Sequence, residues 1–396
     1  MPPRTVVVGD LHLCRESSPR VGRDVARLVE SIPGSRLVFA GDLFDVTSER
    51  GMREGVADAI GAFARHTEAR VALATHLERG GELWLVAGNH DAEIGGRCDA
   101  AAVAGALGVG AEAATRIRTT PWFFREGGLH LEHGHLYDPD NAPAHPLVDG
   151  APSLGVRFTE QFIAPTGAYA YLNNNADTPL RLFVSSFRWY GARAPYMIYR
   201  YFYTALSAML ASGPLYPARA EPAEGAARME AFAHAVGIPV DVVARVLEQA
   251  AAPTTESLAR TFTRVYFDRV VATLSMAGGL GAAALGWRRA GVGAAGFGAL
   301  LMALSWSRGH DRYSGTVAQR LSAGAARVAE STGAHLVVLG HTHVEAEEAH
   351  YANTGSFAFP GRAPGRPYLE IEGSAQHPRA VRRHLMSRLV GGEEAA

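Results

Sequence analysis

Thr5-Val6-Val7-Val8-Gly9-Asp10-Leu11-His12 is a short β-branched run that ends in glycine and then in two side chains able to bind a metal. β-Branched residues suit a half- or fully buried strand, and glycine punctuates its end. The same pattern returns twice. Arg36–Ala40 runs into Gly41-Asp42-Leu43-Phe44-Asp45, and Glu82–Ala87 runs into Gly88-Asn89-His90-Asp91. Between these runs, Val21–Ser31 and Met52–Arg79 carry helical spacing. Strands alternating with helices predict an α/β domain. Pro121–Arg125 and Leu129–Glu132 predict a hairpin about Gly127-Gly128, with Glu132-His133-Gly134-His135 at its end.

The pattern resumes late in the chain. His335–Leu339 predicts a strand ending at Gly340-His341-Thr342-His343, and His350–Ala352, Ser356–Phe359 and Tyr368–Glu372 predict further strands. From Gln376 the tail predicts a short helix followed by disorder. The expected organisation is therefore a first half over 1–150, a helical insertion over 151–330, a second half over 331–375 and a tail over 376–396.

The insertion differs in composition. Arg181–Leu210 is aromatic and apolar, Ala223–Val236 and Val240–Ala250 have helical spacing, and Thr254 or Thr255 is placed to cap a helix from Glu256 through Arg269. Charged residues make up 19% of the chain against 47% hydrophobic ones, below the usual quarter, so some segment must be unusually apolar. That segment is Val271–Trp287 and Ala290–Trp306, two uncharged runs of 17 residues separated only by Arg288-Arg289. Each spans about 25 Å as a helix, the short end for crossing a bilayer. Glycine and alanine permit close helix packing in lipid, and Trp287 and Trp306 sit at segment ends, where interfacial tryptophans lie. Both ends lead back to the α/β domain, so insertion requires a hairpin, crossing fully or lying shallow. Six flanking arginines, Arg260, Arg264, Arg269, Arg308, Arg312 and Arg320, against two at the tip favour the cytoplasmic face of a membrane. The competing expectation is a buried hairpin in a soluble cytoplasmic cap.

A net charge of −1 gives no basic field for nucleic acid, and none is expected as a partner. All basic side chains are arginine. Cys14 and Cys98 are too few for a disulfide framework and fit a reduced compartment. The N-terminus passes almost at once into a strand, so no cleavable signal peptide is expected.

Open α/β sheets place ligand groups at strand ends. Residues i and i+2 of an extended backbone point the same way, so Asp10-x-His12 and His341-x-His343 are expected to converge, with Asp42 between them. Carboxylate, imidazole and amide oxygen suit Mn, Fe or Zn. Taken in order, Gly9–His12, Gly41–Asp45, Gly88–Asp91, His133 and Gly340–His343 resemble the five-motif signature of calcineurin-like metallophosphoesterases. The resemblance covers about residues 1–150 and 330–375, not the insertion. It implies a four-layer α/β/β/α sandwich and two divalent ions, with Mn²⁺ expected and Fe or Zn as alternatives. By motif, Asp10, His12, Asp42 and His343 would hold one ion and Asp42, Asn89, His133 and His341 the other, with Asp42 as the bridge. His90 corresponds to the family's catalytic histidine, which stabilises or protonates the leaving oxygen, and Asp45 would orient it. His135 and Asp91 are expected nearby, as supports or substrate contacts.

Asp10-Leu11-His12-Leu13, Gly41-Asp42-Leu43-Phe44 and the apolar insertion are also similar to UDP-2,3-diacylglucosamine pyrophosphatases. Those enzymes typically have arginine where this chain has His90, so the resemblance favours a general phosphoesterase. Glu132–Asn141 looks like a motif of membrane-associated members of the superfamily. The expected function is hydrolysis of a phosphoester or pyrophosphate on a small-molecule or lipid-linked substrate. A soluble nucleotide phosphodiesterase or phosphatase is the alternative. A metal-free scaffold fits poorly, because every ligand position is filled.

Overall fold

The computed structural model describes residues 4–52, 61–172, 179–213, 222–309, 313, 315–361 and 364–386. It is a mixed α/β protein with two mixed sheets. The first runs β11-β10-β1-β2-β3-β4, with β1 Thr5–Val8, β2 Arg36–Ala40, β3 Glu82–Val86, β4 Ile117–Thr120, β10 Arg366–Gly373 and β11 Pro378–Leu385. The strands β1 to β4 are parallel, and β10 and β11 add antiparallel at one edge. The second runs β5-β6-β7-β9-β8, with β5 Phe123–Glu126, β6 Leu129–Glu132, β7 Leu336–Leu339, β8 Ala346–Glu348 and β9 Tyr351–Asn353.

Alternation along the strands sorts side chains between cores. Val6, Val8, Leu37, Phe39, Leu83 and Leu85 pack with residues of helices Pro19–Ser31, Thr67–Glu78 and Ala100–Leu107. The intervening Val7, Val38, Trp84 and Val86 pack instead with Leu131, Leu336, Val338 and Ala352 of the second sheet. That sheet turns Phe123, Val337, Leu339 and Tyr351 to helices Pro222–Val236, Val240–Leu247 and Thr316–Thr332. Both faces of the central strands are therefore buried, which accounts for runs that are apolar without alternation.

Four expectations need correction. Ser356–Phe359 is not a strand. Its Phe357 and Ala358 N–H groups bond Gly9 O and Asp10 O, so it braces the first strand-end turn. The tail from Gln376 forms no helix over Pro378–Leu385. It forms strand β11, and its register puts Ala380 opposite Ile371. Met52–Arg79 is not one helix: where described, it breaks at His66, whose ring bonds Cys14 O at 3.1 Å, while 53–60 lie outside the described residues. The helix expected from Glu256 through Arg269 is Leu258–Arg264, capped by Ser257, then a break at Tyr266 with φ 57° before the next helix.

The apolar segments form helices Phe267–Ala284 and Arg288–Ser307, which pack antiparallel. Gly279, Gly291 and Gly298 line their seam, where an added Cβ would overlap the facing backbone. The aromatic stretch forms helices Pro179–Tyr190 and Ala194–Leu210. Arg312 and the chain beyond 386 lie outside the described residues.

Candidate metal centre

The turns after β1, β2, β3, β6 and β7 meet at one edge of the facing sheets. Asp10, His12, Asp42, His341 and His343 all have positive φ, between 48° and 70°. Among the described residues only Tyr266 joins them as a non-glycine in that region. Left-handed backbone disfavours a residue with a Cβ, and such outliers gather where a site demands them. Asp10 and His12 converge with His343, while His341 does not join them, and none of the four lies on extended chain: each sits on a tight left-handed turn. Gly41 and Gly88 precede ligands for a steric reason. A Cβ on Gly41 would overlap the His133 ring, and one on Gly88 would overlap Asp42 Oδ1.

The structure brings most of the expected ligands together. Asp10, His12 and His343 form one group, Asp10, Asp42 and His133 a second, and His12, Asp42 and His90 a third. Within each group the ligand atoms lie within 4.8 Å of one another. His343 Nε2 is 3.2 Å from Asp10 Oδ1, and His133 Nε2 is 3.2 Å from Asp42 Oδ2. Asn89 Oδ1 lies 3.1 Å from His133 Nε2, while His133 Nδ1 donates to Ala40 O at 2.9 Å, which fixes the ring. His341 is turned away, with its Nε2 3.0 Å from Asp138 Oδ2. His135 lies ring to ring at 5.5 Å from His133 and does not line the cavity among the described residues.

The donor set fits a divalent cation. His12 Nε2 and His343 Nε2 face each other at 3.1 Å, close enough for one ring to donate to the other and for both to reach a shared cation. Asp10 and Asp42, fully buried, supply the compensating negative charge. Burial alone would raise the Asp42 carboxyl, but His133, His90 and His12 outweigh it and hold it well below the usual range. Burial lowers the His12 imidazole to about 4, which favours the neutral ring that ligation requires.

His90 is set up differently. Burial would lower it, but Asp45 and Asp42 raise it to about 9. Its Nδ1 meets Asp45 Oδ1 at 2.9 Å and Thr47 Oγ1 at 2.6 Å, and Thr47 also donates to Asp45. Asp91 faces inward, accepting from the N–H groups of Gly88, Phe44 and Asp42, so it ties the ends of β2 and β3 together. Burial and the neighbouring Asp42 raise its carboxyl to about 7.

Beside the site lies a cavity of about 940 Å³, lined by His12, Asp42, Asn89 and His90 on one side and by insertion residues including Arg260 and Arg264 on the other. Sequence reasoning missed Thr47, the Asp138–His341 pair and the Arg264–Asp140 ion pair that joins the insertion to the strand-end loops. Thr47, two residues past Asp45, is a local signal that was available. Nothing local told which acid of Asp138-Pro139-Asp140 would be buried. Of the other polar groups near that loop, His130 bonds Glu132 away from the centre and His145 bonds Leu147 N. No protein-family model matches the chain, and no curated protein matches it.

Proposed function

We propose that the chain is a metal-dependent phosphoester or diphosphate hydrolase with a dinuclear centre, on the four-layer sandwich of calcineurin-like phosphoesterases. The observation that carries this is the convergence of Asp10, His12, Asp42, His133 and His343 beside a buried His90–Asp45 pair. The three apolar cores, one between the sheets and one outside each, support the layered fold. Asp10, His12 and His343 would hold one ion and Asp42, Asn89 and His133 a second, with His341 joining by turning from Asp138. Divalent ions there supply Lewis-acid stabilisation of phosphoryl oxygens and an activated water.

The chain's own residues do the rest. His90, held by Asp45, would deliver a proton to the leaving oxygen. Asp45 and Thr47 hold its Nδ1 and keep the ring aimed. Arg260 and Arg264 line the cavity, each paired with an acid, Glu256 and Asp140. Measurement of 4-nitrophenyl phosphate turnover tests this, using protein stripped by chelator and reloaded with Mn²⁺, Fe²⁺ or Zn²⁺. Metal-restored hydrolysis is expected. No turnover with any ion, on that ester or on a panel of diesters, cyclic nucleotides and lipid diphosphates, would overturn it.

A further inference from the structure

The hairpin Phe267–Ser307 stands out from the rest of the molecule. Its two helices pack on each other and otherwise chiefly on Leu258–Arg264 at their foot. Only 17% of the apolar window in Arg288–Ser307 is buried in the protein. Leu274 and Leu280 on the first helix, and Val292, Phe297, Leu300 and Leu304 on the second, are exposed. Measured from the Gly291–Gly298 seam at 100° per residue, Val292 points roughly 100° away, Leu300 about 180° and Phe297 about 240°. These side chains cover an arc of roughly 140° on the side away from the seam, and Leu274 and Leu280 of the first helix likewise lie away from Gly279, so exposed apolar side chains occupy opposite sides of the hairpin. A globular partner, or a second copy, covers one face. Only an apolar medium covers all of them.

We infer that this hairpin inserts tip-first into a lipid bilayer. Without their charged ends the helices extend about 23 Å over 270–284 and about 27 Å over 290–307, at the short end for a hydrocarbon core about 30 Å thick. At the tip, exposed Trp287, Arg288 and Arg289 reach the far headgroup layer, where tryptophan and arginine are accommodated. The glycine seam lets the two backbones approach without side-chain interdigitation, the packing that holds helices together where lipid removes the hydrophobic drive. At the foot the charges are closed off. Ser305 Oγ donates to Asp268 Oδ2 at 2.7 Å and accepts from Arg269 Nε at 3.1 Å, and Arg269 Nη2 donates to Gly309 O at 2.9 Å. Phe202 of helix Ala194–Leu210 meets Phe267 at the same level, 6.0 Å between ring centroids. That helix exposes Tyr199 and Tyr203, one turn apart, as an interfacial belt. Because Arg264 of the foot also lines the cavity, insertion holds the cavity beside the membrane surface.

The test is flotation of the full chain on phosphatidylcholine vesicles, neutral and anionic, beside the L274E/F297E/L300E variant. These side chains are exposed, so the variant is expected to keep its circular dichroism and melting profile. A second variant, L280E/V292E/L304E, repeats the test elsewhere on the same hairpin. The wild type is expected to float with both vesicle types and both variants to stay at the bottom at least tenfold more completely. Turnover of soluble 4-nitrophenyl phosphate should be unchanged, so failure of the hydrolase reading shows in that assay and not in flotation. Flotation on anionic vesicles alone, flotation of the variants, or no flotation with a dimer that the variants dissociate would each overturn the inference.

Discussion

In the proposed dinuclear centre Asp42 is expected to be the ligand whose loss costs most. It shares ligand-atom groups with Asp10 and His133 and with His12 and His90, and its Oδ1 also accepts the His90 N–H at 2.9 Å. Asp42→Asn is expected to cost more activity than any other single ligand change and to drop bound metal below one ion per chain by elemental analysis. Two retained ions with near-normal turnover would remove the bridging role. His90→Ala should leave the ions bound but slow turnover by roughly 10²–10⁴ on poor leaving groups. The loss should shrink on nitrophenyl esters, whose leaving group needs no proton. Asp45→Asn should give a milder form of the same defect, and an equal loss on good and poor leaving groups would contradict the acid role. The pH behaviour follows from the same pair. His90 is raised from 6.5 to about 9 in the folded protein and Asp45 is lowered by His90, so the pair stabilises fully between the ordinary carboxylate range and about 6.5, and the gain fades as pH climbs through about 9 or falls into strong acid. Histidine NMR titration of the metal-free protein should show two raised imidazoliums, His133 near about 10 and His90 near about 9, and Asp45→Asn should move the His90 midpoint down. A His90 midpoint at the ordinary value would refute this.

At the scale of elements, two kinds of glycine do different work. Those before the strand-end ligands make room for side chains, while those in the hairpin make room for backbone. Gly291 faces Ala283 N and Gly279 O so closely that any Cβ must push the helices apart. Gly291→Val is therefore expected to destabilise the hairpin by about 1–3 kcal/mol, the range for overpacking, despite valine's greater hydrophobicity. Urea unfolding followed by helix circular dichroism measures it, and an unchanged midpoint would mean that the seam is loose.

At the scale of the molecule, the insertion is not a loose appendage. Helices Pro222–Val236, Val240–Leu247 and Thr316–Thr332 complete the core behind the second sheet, and Arg264 pairs with Asp140, which also accepts from Thr254 Oγ1 at 2.7 Å. Both ions of that pair are mostly buried. Arg264→Ala leaves Asp140 without its cation, and a stability loss of about 3 kcal/mol is expected from breaking such a pair on one side. Restoring stability with Asp140→Asn in the same chain would confirm the pairing as the cause, and no loss in the single variant would show the contact to be dispensable.

The sequence by itself determined the α/β class, the strands β1, β2 and β6, the apolar hairpin and the short list of metal-type side chains. Each of these is local: β-branched runs, glycine at strand ends and uncharged helical stretches act over a few neighbouring residues. Tertiary structure alone decided the rest. It turned Asp10, His12, His341 and His343 into left-handed conformations, with the Ser356–Phe359 brace bonding the first turn at Gly9 O and Asp10 O and Asn353 Nδ2 bonding the late one at Gly340 O. It drew the tail into β11, because the edge of β10 offered unpaired backbone groups. It buried Asp138 against His341 and Asp140 against Arg264, 203 and 124 residues apart along the chain. Electrostatic pairing acts through space, and local composition carries no record of which acid a distant base will meet.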